Sequence, residues 1–215
     1  MGDFPALYPI LDAAFLTAVE DRAGFLRRLV RELAAVGVAI LQYRNKTGGA
    51  AEICADAGAM LEAAKAAGVL LILNDWPELA TRAAFDGVHV GQTDISPAEA
   101  RAIMGPDKII GVSTHNQTQL RAASQQSVDY IAFGPVFATS TKENPDPVVG
   151  LDGVRQARRL TRKPLVAIGG ITLENAASVR DAGADSAAVI SAIFAPGVDA
   201  ASRAAGFLKA FGNSR

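Results

Sequence analysis

The chain has 215 residues, 50% of them hydrophobic, with 21 basic against 22 acidic side chains and a formal net charge of −1. That apolar content supplies a buried core and excludes a disordered chain, and the balanced charge lacks the basic excess of a general nucleic-acid or membrane-surface binder. A single cysteine, Cys54, forms no internal disulfide, and with two histidines it is too little for an ordinary zinc site. No apolar run approaches the roughly 20 residues of a membrane span. The opening MGDFPALYPI lacks the basic region and long apolar core of an export signal. A cytoplasmic protein acting on small molecules, with neither a nucleic-acid nor a membrane partner, is the expectation.

In chain order, an apolar run at 7–11 predicts a strand, and a helical spacing follows over 24–36. The pairing then repeats: strand 38–44 with helix 50–67, 69–74 with 77–83, 87–90 with 97–104, and 109–113 with 117–125. Three more pairs complete the chain, 130–133 with 153–160, 165–168 with 173–181, and 187–190 with 200–210. Short apolar runs alternating with amphipathic helices read as βαβ units and a parallel sheet. Eight units allow about 27 residues each, close to the minimum for a βα repeat, and point to a (β/α)8 TIM barrel. An open doubly wound sheet is the rival, but the glycine-rich phosphate loop of dinucleotide folds is missing after the first strand. No linker or composition shift divides residues 1–215, so a single α/β domain is expected.

Function in such barrels gathers where strands end and helices begin, a place where helices also demand polar caps. Ser96-Pro97-Ala98-Glu99 reads as a capping box. Asn116, Asp152 and Thr172 read as caps of the fifth, sixth and seventh helices. Polar residues without a capping role remain: Gln42, Arg44 and Lys46 after strand two, Asn74 and Asp75 after strand three, Asp94 after strand four, and Ser113 ending strand five. Thr139, Thr141 and Lys142 lie in the long connection 134–150 after strand six. Residues 42 and 44, two apart, point to the same side of their strand.

Two carboxylates among amides, hydroxyls and cations fit Mg²⁺ held by one or two aspartates and completed by substrate phosphate and water. Arg44 and Lys46 supply charge for phosphate oxygens. Gly169-Gly170 after strand seven and Ile190-Ser191 after strand eight stand where such barrels commonly bind a phosphate.

Taken in order, the segments QYRNK (42–46), LND (73–75), DGVHVGQTD (86–94), GVSTH (111–115), GPVF (134–137), TSTK (139–142), AIGGI (167–171) and AVISAI (188–193) resemble the motifs of the thiamine phosphate synthase family. The resemblance covers about residues 7 to 195. It implies a Mg²⁺-dependent transferase of thiamine biosynthesis in which pyrophosphate leaves a hydroxymethyl-aminopyrimidine and the resulting carbocation is captured by a thiazole phosphate. Carried over position by position, Gln42, Tyr43, Arg44, Asn45, Lys46, Asn74, Ser113 and Lys142 would line the pyrimidine diphosphate site. Arg44, Lys46, Lys142 and Ser113 would act in catalysis. Thr139, Ser140, Thr141, Gly169, Gly170, Ile190 and Ser191 would hold the thiazole phosphate. Asp75 and Asp94 would bind one Mg²⁺ per chain, and a homodimer is implied. Ala138 stands where a proline is usual, and Asn45 where an acidic residue is common; neither change removes a proposed ligand. Two alternatives stay open: a paralogous thiazole tautomerase using a histidine, for which His115 would be the base, and a non-catalytic phospholigand sensor.

Overall fold

The computed structural model describes residues 4–139, 146–195 and 197–212. Among them, parallel strands close in sequence order into a barrel: β1 (Leu7–Asp12), β2 (Ile40–Arg44), β3 (Leu70–Asn74), β4 (Gly87–Val90), β5 (Ile109–Thr114), β6 (Tyr130–Phe133), β7 (Leu165–Ile168) and β8 (Ser186–Val189). The helices around it are α1 (Arg22–Ala35), α2 (Ala50–Ala67), α3 (Pro77–Arg82), α4 (Pro97–Met104), α5 (Gln117–Ser124), α6 (Gly150–Leu160), α7 (Ala176–Asp181) and α8 (Ala200–Gly212). This is the expected architecture. No described helix is long and apolar enough to cross a membrane.

Strand alternation sorts the core into two layers. Leu41, Leu71, Leu73, Val88, Ile110 and Ile131 face outward against Leu26, Leu29, Met60, Leu120 and Phe207 of the helices. Tyr8, Ile10, Ile40, Ile72, Ile109, Tyr130 and Val166 fill the barrel interior. Each fully buried aliphatic side chain contributes roughly 1.5–3 kcal/mol relative to exposure. Gly111 is glycine for space, since a Cβ there would run into the Tyr130 ring. Buried alanines on α2, among them Ala57, Ala63 and Ala64, let that helix sit close to the sheet. Its end is closed by Gly68 in the left-handed conformation, φ 70°.

Ser96 and Glu99 form the predicted capping box, and Asn116 accepts from the backbone N–H of Gln119. Two predicted caps are corrected. The sixth helix begins at Gly150, so Asp152 lies inside its first turn and pairs with Arg155. Contacts distant in sequence set that start, because Val149 N donates to Pro135 O and Gly150 N to Val136 O. The seventh helix begins at Ala176, not near Leu173, and Asn175 flanks it in place of Thr172.

At the floor, where strands begin, one device recurs before three of the four even-numbered strands. Asp86, Asp129 and Asp185 immediately precede β4, β6 and β8. Their Oδ2 atoms accept from the backbone N–H of Leu71, Ile110 and Leu165 at 2.9, 2.8 and 2.8 Å. Their own N–H groups donate back to the carbonyls of the same three residues. Arg101 adds a salt bridge to Asp129 at 2.6 Å, and Arg158 one to Asp185 at 2.5 Å.

Candidate active site

The opposite end, the mouth, collects the polar ends of the strands. Gln42 and Arg44 face the same way, as expected. Gln42 is buried inside the barrel and donates to the Tyr8 hydroxyl at 3.0 Å. Arg44 Nη1 forms a short ion pair with Asp12, at the end of β1. Asp12 also accepts from Ala14 N at 2.9 Å, so the carboxylate is fixed before it meets the guanidinium. With one nitrogen held, the remaining donors of the planar fork have a defined direction. Asp12 was not singled out from the sequence, although a polar residue closing an apolar strand was the available signal.

The alternation that turns Gln42 and Arg44 inward sends Tyr43 outward. Tyr43 is fully buried behind β2, where its hydroxyl bonds to Asp56 of α2, to Arg22 of α1 at 3.3 Å and to Asn45 at 3.1 Å. Arg22 also grips Asp56 and Glu52 at 2.5 and 2.7 Å. Tyr43 therefore does not line the mouth. Asn45 is likewise spent on structure: its amide nitrogen donates to Tyr43 and Glu52, and its oxygen accepts from Gly48 N at 2.7 Å and Thr47 N at 3.3 Å. It shapes the loop that carries Lys46 and presents no side chain to a ligand.

Lys46 Nζ meets Asp75 Oδ2 at 2.5 Å. Asp75 sits at φ 71°, left-handed backbone that aspartate tolerates better than most residues, and its N–H donates to His89 O. It caps no helix, since Trp76 flanks α3. Burial pushes the Asp75 carboxyl above the usual carboxylate range, the Lys46 ammonium pulls it back, and the adjacent Asp94 carboxylate pushes it up again. Asp94 itself is exposed and accepts from Gly91 N at 2.7 Å. Two carboxylates turned toward each other, one of them displaced upward by burial and by its neighbour, are the donor set a hard divalent cation relieves. The residues present fit a hard divalent cation such as Mg²⁺, which Asp75 and Asp94 would hold.

Asn74 ends β3 beside His89 of β4 in register. His89 Nε2 lies 2.8 Å from Ser113 Oγ, and Gln92 donates to the Ser113 carbonyl at 2.6 Å. Burial pushes the His89 imidazole down to about 4, with Asp94 pulling weakly the other way, so the ring is neutral near pH 7. His115 turns Nδ1 to the Gly134 carbonyl at 2.8 Å and stands 3.5 Å from Asp146, a bonding pattern that ties down the start of the β6–α6 connection.

On the other side of the mouth, Gly169 and Gly170 both adopt positive φ, 99° and 63°. A Cβ at either would meet Pro135, Phe137 or Ala138, so the close approach that requires glycine is to the chain after β6. Phe137 N donates to Gly169 O at 3.0 Å, and Asn175 Nδ2 holds Gly170 O at the same distance. Ile190 and Ser191 follow β8 in a turn closed by Ile193 N and Phe194 N on Ile190 O. Thr139 is half-buried at the end of the described part of the connection. Ser140, Thr141 and Lys142 lie outside the described residues.

Residues 7–193 match the family model described as thiamine monophosphate synthase. A thiamine-phosphate synthase of Koribacter versatilis is 53% identical over 205 residues, 95% of both chains. One from Chloroflexus aurantiacus is 42% identical over 190 residues, 88% of this chain and 85% of that protein. Among solved structures, a thiamine phosphate pyrophosphorylase from Pyrococcus furiosus superposes with a TM-score of 0.83 at 28% identity, covering 96% of this chain and 95% of the other.

Proposed function

The chain belongs to the thiamine monophosphate synthase family, transferases of thiamine biosynthesis, and from that premise we propose how its mouth carries out the reaction. The substrates are 4-amino-2-methyl-5-(diphosphooxymethyl)pyrimidine and 4-methyl-5-(2-phosphooxyethyl)thiazole. The bond from the pyrimidine methylene to the diphosphate oxygen breaks first, and its electron pair departs with pyrophosphate. The pyrimidine-stabilised carbocation is then captured by the thiazole nitrogen, giving thiamine phosphate. Such a substitution needs no protein nucleophile. What it needs is positive charge fixed where the leaving group becomes more negative.

The observation that carries this reading is the convergence of Arg44, Lys46, Asp75 and Asp94 on one rim of the mouth, above the inward-facing Gln42 and Ser113. Arg44, aimed by Asp12, and Lys46, now resting on Asp75, bind the diphosphate, with Lys142 as a third cation. Asp75 and Asp94 would hold Mg²⁺, whose chemistry there would be to add positive charge beside the diphosphate. Gln42, Asn74 and Ser113 orient the pyrimidine. Thr139, Ser140, Thr141, the Gly169-Gly170 turn and Ile190-Ser191 hold the thiazole phosphate, so that its nitrogen stands in line and water is kept from the cation. A cytoplasmic homodimer belongs to the same proposal, and sedimentation at micromolar concentration tests its assembly.

Incubating purified protein with both substrates, with and without Mg²⁺, tests the chemistry. The expected result is pyrophosphate and thiamine phosphate in equal amounts, only when the metal is present. Failure to form product under those conditions would turn the assignment toward a tautomerase or a phospholigand sensor.

A further inference from the structure

Beneath the mouth, a chain of side chains crosses the barrel from β2 to β5. Gln42 Nε2 donates to the Tyr8 hydroxyl at 3.0 Å, and the Tyr8 and Tyr130 hydroxyls lie 2.7 Å apart. Tyr130 reaches His89 Nδ1 at 2.9 Å, and His89 Nε2 reaches Ser113 Oγ at 2.8 Å. Gln42, Tyr8, Tyr130 and His89 are all at most 7% exposed, which leaves little room for water to replace a missing partner. The Tyr130 ring also stacks on His89, with centroids 5.5 Å apart.

A hydroxyl has one proton to donate, and a neutral imidazole has one donor and one acceptor nitrogen. The sense of each link is therefore set by the link before it. With the Gln42 amide N–H entering at Tyr8, Tyr8 donates to Tyr130 and Tyr130 donates to Nδ1. The imidazole proton then sits on Nε2 and points at Ser113 Oγ. Ser113 keeps its own proton to offer toward the mouth, while Gln42 keeps its amide oxygen. Reversing one link alone leaves a buried hydroxyl proton or ring nitrogen without a partner, so the links favour reversing together.

We infer that this chain is a specificity device, coupling the Gln42 amide to the Ser113 hydroxyl so that together they select a heterocycle with an amino donor beside a ring-nitrogen acceptor. The inference rests on the pyrimidine reading above and extends it to what discriminates the ring. In the corresponding oxo-pyrimidine the amino donor becomes a carbonyl and the ring nitrogen carries a proton, so both contacts are inverted. Presenting the inverted pair through the same two atoms takes a rotation of the buried amide and a move of the His89 proton to the other nitrogen. Tyr8, Tyr130 and His89 touch no ligand in this scheme and are positioning residues.

Two measurements on the full chain test it. Nitrogen-15 NMR of histidine-labelled protein without ligand reads the His89 tautomer, and the expected signal is a single Nε2–H species. Calorimetry then compares the phosphate monoesters of the 4-amino and 4-oxo pyrimidines, which avoids any difference in leaving-group chemistry. The amino compound should bind at least about tenfold more tightly. Tyr130→Phe removes the central hydroxyl, and it should mix the His89 tautomers and reduce that preference by about tenfold. Tyr8→Phe makes the same cut one link away, should Tyr130→Phe fail to fold. An Nδ1–H imidazole in the unmodified protein, or an unchanged amino-to-oxo ratio in a folded variant, overturns the inference. If neither pyrimidine binds, it is the functional reading that fails, and the tautomer measurement still decides the chain.

Discussion

Asp86, Asp129 and Asp185 at the floor each exchange two hydrogen bonds with a residue of the preceding strand, whereas Asp75 and Asp94 at the mouth are turned toward one another. The same side chain thus serves two purposes within one barrel. At the floor, strand N–H groups that lie below the ladder need acceptors, and a carboxylate one residue ahead of the next strand satisfies them. At Asp129 and Asp185 the negative charge is then matched by Arg101 and Arg158. At the mouth the charges are only partly matched: Lys46 meets Asp75, and Asp94 adds a second negative charge beside it. Floor carboxylates satisfy backbone donors, whereas two adjacent mouth carboxylates, one of them partly buried, cost stability by themselves.

Substitutions at the two ends should separate these roles. The largest effect is expected for Asp75→Asn, which keeps a residue tolerant of left-handed backbone and removes only the charge. Turnover at saturating substrates and Mg²⁺ should fall roughly 10²–10³-fold with little change in the unfolding midpoint, and Lys142→Ala should lose a similar amount. Near-normal turnover in both variants would remove them from the mechanism.

Next in size is the reverse experiment, Asp129→Ala. The backbone N–H of Ile110 and the guanidinium of Arg101 lose their carboxylate. Denaturant unfolding should report a loss of about 2 kcal/mol, with turnover at 25 °C within about twofold of the parent. A variant as stable as the parent would show that the floor clamp is ornamental.

A smaller change, of opposite sign, is expected for Asp94→Asn without metal. Removing one of two facing carboxylates should raise stability at neutral pH by about 0.5–1 kcal/mol. Mg²⁺ should raise the Tm of the parent protein, and the same variant should lose that rise. The pH dependence has a definite direction. Because the Asp75 carboxyl lies above its ordinary value in the folded protein, the fold favours its protonated form. Its stabilising contribution is complete below the ordinary aspartate range and is lost as pH rises through the raised value. Stabilisation by Mg²⁺ runs oppositely, weakening as pH falls and protons compete for the same oxygens. Metal titrations by thermal shift at several pH values check both slopes.

Smallest of all is Arg155→Ala. It breaks an exposed pair with Asp152 on α6 that belongs to neither device, and should change neither turnover nor stability by more than about 0.5 kcal/mol.

The strands, helices and capping box were legible in the sequence because they depend on neighbours a few residues away. The 2.0 and 3.6 periods, and Ser96 followed by Glu99, carry their meaning locally. The polar strand ends were legible too, since few helices needed Gln42, Asn74 or Ser113 as caps. The alternation that turns Gln42 and Arg44 inward also implies that Tyr43 faces out, although a contiguous motif hides this. What tertiary structure alone decided were the partners. Asp12 aims Arg44 from 32 positions away, and Tyr8 meets Tyr130 across 122. Three floor aspartates become clamps only when a neighbouring strand lies beside them. Those pairings follow from laying each strand beside the next and curling the sheet into a barrel, which turns β1 and β6 side chains toward one interior and leaves a buried polar group few partners but the one opposite.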